Sequence, residues 1–207
     1  MLKVGLTGGM ASGKTVVGEM FVTFGAHLIQ ADTVAHQLMQ RGEAVYEEVV
    51  RRFGTGILNP DRTVNRARLA EIAFGQPPRI AELNKIVHPA VIERENRWME
   101  EVGRQDPHAI AIVEAALILE AGTAERFDRL VVVTCWPEQR IERWATRTKV
   151  DLQTARREVT RRMAAQLPDE EKTKAADYVI DNSGSLDETR KNVEQVYEKL
   201  GQEETRS

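Results

Sequence analysis

The chain has 207 residues, 42% of them apolar, which suits one medium-sized core with room for insertions. Its formal charge of −3 gives no global attraction to nucleic acid or anionic membrane, and its lone cysteine, Cys135, excludes an intrachain disulfide and fits a reducing compartment. There is no apolar run of roughly 18 residues to span a bilayer, and the first residues enter a strand with no charged and apolar leader, so the expectation is a soluble cytoplasmic protein.

The first element is Leu2-Lys3-Val4-Gly5-Leu6, an apolar run that predicts a buried strand. Gly8-Gly9-Met10-Ala11-Ser12-Gly13-Lys14-Thr15 then fills G-x-x-x-x-G-K-[ST] in full, and Val16, Val17, Met20, Phe21 and Phe24 recur at helical spacing over 15–24. Strand, loop and helix in that order are the setting a phosphate-binding loop needs. Its glycines let successive backbone N–H groups turn inward on a polyphosphate, and the helix N-terminus adds a positive dipole end. The candidate ATP contacts are Gly8, Gly9, Ala11, Ser12, Gly13, Lys14, Thr15 and Val16, with Lys14 reaching the β/γ-phosphates and the Thr15 hydroxyl ligating Mg²⁺.

Gly25 is the expected stop of that helix, and 26–30 the second strand. Asp32 follows it, with Thr33 as the expected cap of the next helix. Two readings fit Asp32. A carboxylate at a strand's C-terminal end faces the ligand crevice of an open α/β sheet and suits acid–base work, and an aspartate there also simply starts a helix. From 33 to about 104 the pattern is helical: short helices over 45–53 and 66–74, a loop over 54–65, and a longer helix from 79 to 102 interrupted at His88-Pro89. A crossover between parallel strands needs only a dozen or so residues, so this stretch predicts an inserted helical domain.

Residues 109–113 and 129–134 are near-continuous apolar runs of the kind found in central parallel strands, the first ending in Glu114. Glu114 can hold Mg²⁺ through water or cap the turn that follows. Pro137 opens a helix at its first turn. The segment 140–162 is basic, and Arg140, Arg143 and Arg147 fall at i, i+3, i+7 on one face. Such a segment is either a solvated surface paired internally, as Glu158 with Arg162, or a lid whose arginines close over a γ-phosphate; the upstream loop favours the lid. Residues 178–181 form the fifth strand and 186–200 an amphipathic closing helix burying Leu186, Val193, Val196, Tyr197 and Leu200, before a frayed tail over 202–207. Trp98, Trp136 and Trp144 are expected to pack, and four scattered histidines with one cysteine offer no zinc site. Strands alternating with helices predict a doubly wound α/β sheet.

Among phosphate-loop classes, a switch GTPase needs D-x-x-G after an early strand and N-K-x-D for its base. Asp181-Asn182-Ser183-Gly184 follows the last strand instead, and Asn84-Lys85-Ile86-Val87 lacks the aspartate. A motor ATPase carries Asp-Glu at a strand end, where this chain has Glu114 alone. A small-molecule kinase fits better. Its rivals are a kinase for another acceptor, such as a nucleoside monophosphate, sugar or small acid, and a regulatory protein that hydrolyses ATP slowly.

The landmarks also carry a resemblance. Residues 6–15, Gln30-Ala31-Asp32-Thr33-Val34-Ala35, Phe53-Gly54, Asn65-Arg66-x-x-Leu69, His88-Pro89, Ala116-Leu117-Ile118-Leu119-Glu120, Arg162-Met163-Ala164-Ala165-Gln166 and Ala176-Asp177-Tyr178-Val179-Ile180-x-Asn182 resemble, in order and spacing, the dephospho-coenzyme A kinase family. Gln30 stands where that family has aspartate, and Ala116 where it has proline. The resemblance covers nearly the whole chain. It implies a P-loop NTPase fold: a five-stranded parallel sheet flanked by helices (core about 1–32, 106–137 and 174–201), a helical acceptor domain inserted at about 33–105 and a lid at about 138–173. It implies ATP-dependent phosphorylation of the ribose 3′-hydroxyl of dephospho-coenzyme A with Mg²⁺; the charge pattern adds the expectation of no nucleic-acid or membrane partner, and the expected assembly is a monomer or weak homo-oligomer. By the same resemblance Asp32 is the base and Arg162 belongs to the lid's substrate contacts, with Lys14 of the loop and Arg140 expected to act beside Asp32. Arg140 and Arg147 are lid candidates by their shared face. Arg66 and His88 fall on the acceptor side, each open to a surface or packing role as well. Asn182 lies where the family has its adenine pocket, as a backbone contact.

Overall fold

The computed structural model describes residues 1–74 and 77–205. In chain order its elements are β1 (Leu2–Gly8), α1 (Lys14–Thr23), β2 (His27–Gln30), α2 (Ala31–Leu38), α3 (Ala44–Phe53), α4 (Arg66–Phe74), α5 (Pro77–Gln105), β3 (Ile110–Glu114), β4 (Arg129–Thr134), α6 (Pro137–Thr148), α7 (Leu152–Met163), α8 (Asp169–Ala175), β5 (Tyr178–Asp181) and α9 (Leu186–Glu204). Two compact units share them, Met1–Ile29 with Glu101–Ser207, and Gln30–Glu100.

The first unit is built on a five-stranded parallel sheet of order β2-β3-β1-β4-β5 flanked by helices. The strand order reverses next to β1, where an open α/β sheet leaves its ligand crevice. Register brings the chemistry to one edge: Leu6 pairs with Glu114, Gly8 with Val133, and Thr134 with Asp181. Side chains alternate across the sheet as the two-residue period requires. Val4, Leu6, Ile112, Val131, Val133 and Ile180 pack with Val17 and Phe21 of α1 and Val193, Val196 and Leu200 of α9. On the other face Leu130 and Val132 pack with Ile118 and Phe127. Cys135 is a free, buried thiol, and among the described residues no helix is long and apolar enough to cross a membrane.

Several local expectations change. Strand β2 passes straight into α2, so Gln30 takes the N-cap position and Thr33 lies inside the first turn, its hydroxyl 3.2 Å from Gln30 Oε1. Helix α5 runs unbroken through Pro89. Proline removes one ladder bond, and burial of Val87 and Val91 on the flanking turns offsets that local loss. Leu186, first residue of α9, is exposed, and Thr189 one turn on is buried instead. Residues 202–204 continue α9, whose Glu204 meets His108 Nδ1 and the Met1 amino group, each at 3.1 Å; Arg206 and Ser207 lie outside the described residues. Trp136, expected to pack, is 67% exposed, because Pro137 at the first helical turn leaves it outside α6.

In the second unit, α3 buries Val45, Tyr46 and Val49. The 54–65 loop is closed by a Leu58–Val64 bridge. Its polar residues satisfy one another, Asn65 Nδ2 donating to Asn59 Oδ1 at 2.9 Å and the Thr63 amide to Asp61 Oδ1 at 3.0 Å.

Candidate active site

The loop between β1 and α1 curls as its spacing demands. Gly13 sits at φ 95 and Ala11 at φ 56, left-handed values that cost an alanine about 1 kcal/mol or more. A Cβ on Gly13 would also lie 2.1 Å from Asn182 Nδ2, so this position needs glycine twice over. Lys14 folds back across the loop, its Nζ donating to the carbonyls of Gly8 (3.1 Å) and Gly9 (3.2 Å). Thr15 Oγ1 donates to Glu114 Oε1 at 2.9 Å, joining the start of α1 to the end of β3. A hydroxyl and a carboxylate so placed are hard oxygen donors that suit Mg²⁺, which takes one or two protein oxygens and completes its shell with phosphate and water.

The first turns of α6 flank the loop. Arg140 is fully buried, with its guanidinium packed on Gly9 and paired to Asp169 of α8. Arg143 donates through Nη1 to the Ser12 carbonyl (3.1 Å) and through Nη2 to the Asn182 carbonyl (2.9 Å). Asn182 Nδ2 donates to the same Ser12 carbonyl at 2.8 Å, while its Oδ1 accepts from Thr189 at 3.0 Å. These two donors fix the Ser12 peptide in place, and the Ser12 amide in turn donates to the Gly9 carbonyl at 3.2 Å. Met10 is gripped twice. Its side chain packs among Ile141, Ala145, Ala155 and Val159 of α6 and α7. Its amide donates to Gln166 Oε1 at 3.2 Å. Gln166 is in turn anchored next door, where the Leu167 amide donates to Glu120 Oε1 (3.0 Å) and the buried Lys172 ammonium lies 2.8 Å from the same oxygen.

The structure therefore brings together residues 8–15, Glu114, Arg140 and Asn182. The exposed Val16 follows on α1. Arg147 and Arg162 lie elsewhere on the α6–α7 hairpin. Both guanidiniums stack 4.8 Å from the Trp144 ring, and Arg162 also pairs with Glu158 at 2.5 Å. Hydrogen bonds from Arg161 and Arg162 hold the Glu158 carboxyl well below the usual range, at about 2. Asn182 offers its neighbours little more: side chain and carbonyl are both engaged inside the clamp. Sequence reasoning passed over Arg143, although it lay in the same stripe as Arg140, and passed over Gln166, although it closes the motif that named Arg162.

The second unit holds the remaining candidates. Asp32 lies exposed in the first turn of α2, one turn before His36. Burial first, and the nearby Arg66 charge second, push the His36 imidazole below its ordinary pKa, against the opposing pull of Asp32. Arg66 itself is exposed at the start of α4. His88 is exposed on α5, its pKa lowered by partial desolvation of the ring.

Residues 2–188 match the family model described as Dephospho-CoA kinase. The chain belongs to the dephospho-CoA kinase family. Two relatives bearing that name are similar to it over nearly the whole chain. One from Aquifex aeolicus is 38% identical over 200 residues, covering 97% of this chain and 98% of the relative. The other, from Syntrophotalea carbinolica, is 40% identical over 193 residues, covering 93% and 89%. Among solved structures, TT1252 from Thermus thermophilus aligns with a TM-score of 0.78 at 30% identity over 96% of this chain and 97% of that one. A shikimate kinase from Aquifex aeolicus, at 12% identity and TM-score 0.54, covers 98% and 96% and shares the fold. Dephospho-CoA kinases are kinases of the P-loop fold, and this chain has the loop between β1 and α1 with Lys14 folded across it.

Proposed function

We propose that the protein transfers the γ-phosphoryl group of ATP to the ribose 3′-hydroxyl of dephospho-coenzyme A, giving coenzyme A and ADP, the last step of coenzyme A synthesis. The observation that carries this reading is the phosphate loop of 8–15, with Lys14 across it and Arg140 and Arg143 against it, in a chain of this family.

In this reading the loop amides and Lys14 bind the β- and γ-phosphates. Thr15 and Glu114 would hold Mg²⁺, and the ion would neutralise charge on the transferring phosphoryl group. Arg140 reaches the same group from the lid, exchanging Asp169 for phosphate, which a guanidinium also grips in a bidentate geometry. Asp32 orients the attacking hydroxyl and takes its proton as the O–P bond forms. In a loose transition state such positioning matters more than proton abstraction. The acceptor domain is the insertion at about 33–105, the lid about 138–173, and the remainder the nucleotide core. Arg66, His88 and Arg162 serve the acceptor and Arg147 the nucleotide, while Asn182, expected to meet adenine through its backbone, instead holds the loop, its amide bonded to Thr134 and its carbonyl to Arg143. The protein works in the cytoplasm.

The test is the identity of the product. Mass spectrometry and phosphorus NMR after reaction of Mg·ATP with dephospho-coenzyme A should find one new phosphomonoester on the ribose 3′-oxygen. Unmodified acceptor, with another small molecule phosphorylated, would remove the acceptor assignment.

A further inference from the structure

The second unit carries a concavity of about 690 Å³ between α3, the 54–65 loop and the start of α4, lined by Arg41, Arg62, Arg68, Tyr46, Asn59 and Leu58 among others. Three guanidiniums share one hollow in a chain whose net charge is −3. Glu47 is also in the lining, yet among the described residues no ion pair ties any of the three arginines to it or to another carboxylate. Like charges gathered in a concave wall focus a positive field and repel one another until an anion enters.

The hollow is built, since its walls are held by defined bonds. Tyr46, itself buried, donates its hydroxyl to the Arg62 carbonyl at 2.7 Å. The Arg62 amide donates to the Asn59 carbonyl at 2.9 Å. Together they hold Arg62 at φ 66, a left-handed conformation that glycine takes freely and arginine takes under strain. Arg68 Nη1 reaches the Leu58 carbonyl at 3.4 Å, which leaves most of its donors unused. The loop thus holds an arginine where backbone geometry alone would favour glycine, and aims a second one beside it.

We propose that this hollow binds the diphosphate of the acceptor, the group that joins adenosine to the pantetheine arm in dephospho-coenzyme A. Planar guanidiniums recognise phosphate oxygens in pairs, and three of them match a group with two negative charges. The volume suits a ligand segment larger than one phosphate, and Leu58 and Tyr46 give the neighbouring arm apolar wall. This inference rests on the acceptor reading above and extends it: the unit selects its substrate by the diphosphate as well as by the ribose.

The experiment compares the wild type with Arg62→Gly, and with Arg62→Gly combined with Arg68→Ala, using dephospho-coenzyme A and adenosine as acceptors. Adenosine has the ribose hydroxyl and lacks the diphosphate and the arm. The double variant should raise KM for dephospho-coenzyme A at least tenfold, with kcat/KM for adenosine falling far less and KM for ATP unchanged. Arg62→Gly removes the strained residue, so its Tm should hold or rise while its KM worsens; a purely structural arginine would lower Tm and leave KM alone. Inorganic pyrophosphate, titrated with Mg·AMP-PNP filling the nucleotide site, should shift the Arg62 and Thr63 amide NMR signals in the wild type and not in the double variant. An unchanged KM for dephospho-coenzyme A, or no pyrophosphate shift in the wild type, overturns the proposal. If the wild type fails to phosphorylate dephospho-coenzyme A at all, the acceptor reading falls by itself and the pyrophosphate titration still decides the hollow.

Discussion

Arg143 and Ser12, 131 positions apart in the chain, meet through a 3.1 Å hydrogen bond from an α6 guanidinium to a phosphate-loop carbonyl. The bond fixes that carbonyl, and the second Arg143 nitrogen ties the same guanidinium to Asn182. Hydrogen bonds from charged donors contribute about 1.5–3 kcal/mol. Arg143→Ala should therefore weaken ATP binding by roughly tenfold or more in calorimetric titration. Arg143→Lys should recover little, because a single ammonium cannot reach both carbonyls in the fork geometry. ATP affinity within twofold of wild type in Arg143→Ala would mean the loop holds its shape unaided.

Gly9 lies under Arg140 so closely that a Cβ there would come within 2.1 Å of Nη1. Arg140 is buried and cannot swing aside without leaving Asp169. Gly9→Ala should lower both stability and kcat. Pairing it with Arg140→Ala should restore Tm towards that of Arg140→Ala alone while turnover stays low. Denaturation curves and steady-state rates on the three variants check this.

Asp32 sits in the first turn of α2, where its carboxylate is exposed and sterically free to orient a hydroxyl. Asp32→Asn preserves shape and removes the proton acceptor. It should reduce kcat by roughly a hundredfold or more, in the range of general-base losses, with little change in ATP affinity. Wild-type turnover in this variant would take the role away from Asp32.

Lys172 is wholly buried beside Glu120, whose side chain is 17% exposed. Removing one member of a buried pair leaves the other uncompensated and costs about 3–5 kcal/mol. Lys172→Met should show that loss in urea unfolding. Adding Glu120→Gln should recover part of it, since the amide oxygen still accepts from Leu167 and carries no charge.

Glu158 gives the chain a pH signature. Its carboxyl titrates at about 2 in the folded protein against 4.5 ordinarily, because Arg161 and Arg162 hydrogen-bond to the ionised form. A depressed folded value means the contribution is fully present above 4.5 and is lost as pH falls towards 2. Its partners are largely exposed, so salt weakens it. Carboxyl carbon NMR should place the Glu158 midpoint well below 4 at low salt. A midpoint near 4.5 would show that the arginines do not hold it in solution.

Much of this was legible in the sequence where the determinant is local. The fixed spacing of Gly8, Gly13, Lys14 and Thr15 announces the loop, and continuous apolar runs announce β3 and β4. What escaped depends on distant partners. Arg143 looks like its neighbours Arg140 and Arg147 until Ser12 is known to lie beside it. Gln166 acquires its meaning from Met10. Pro89 and Leu186 were misjudged for the converse reason: a local rule, the helix-breaking proline or the buried leucine, gave way to what the surrounding chain does at that position.

The most direct measurement of the central claim is ADP release from Mg·ATP with dephospho-coenzyme A, without it, and with a panel of nucleoside monophosphates in its place. Strong stimulation by dephospho-coenzyme A alone, matched mole for mole by coenzyme A, is the predicted result. Equal ADP release with and without every acceptor would contradict it, and would make the protein a slow ATPase on a kinase fold.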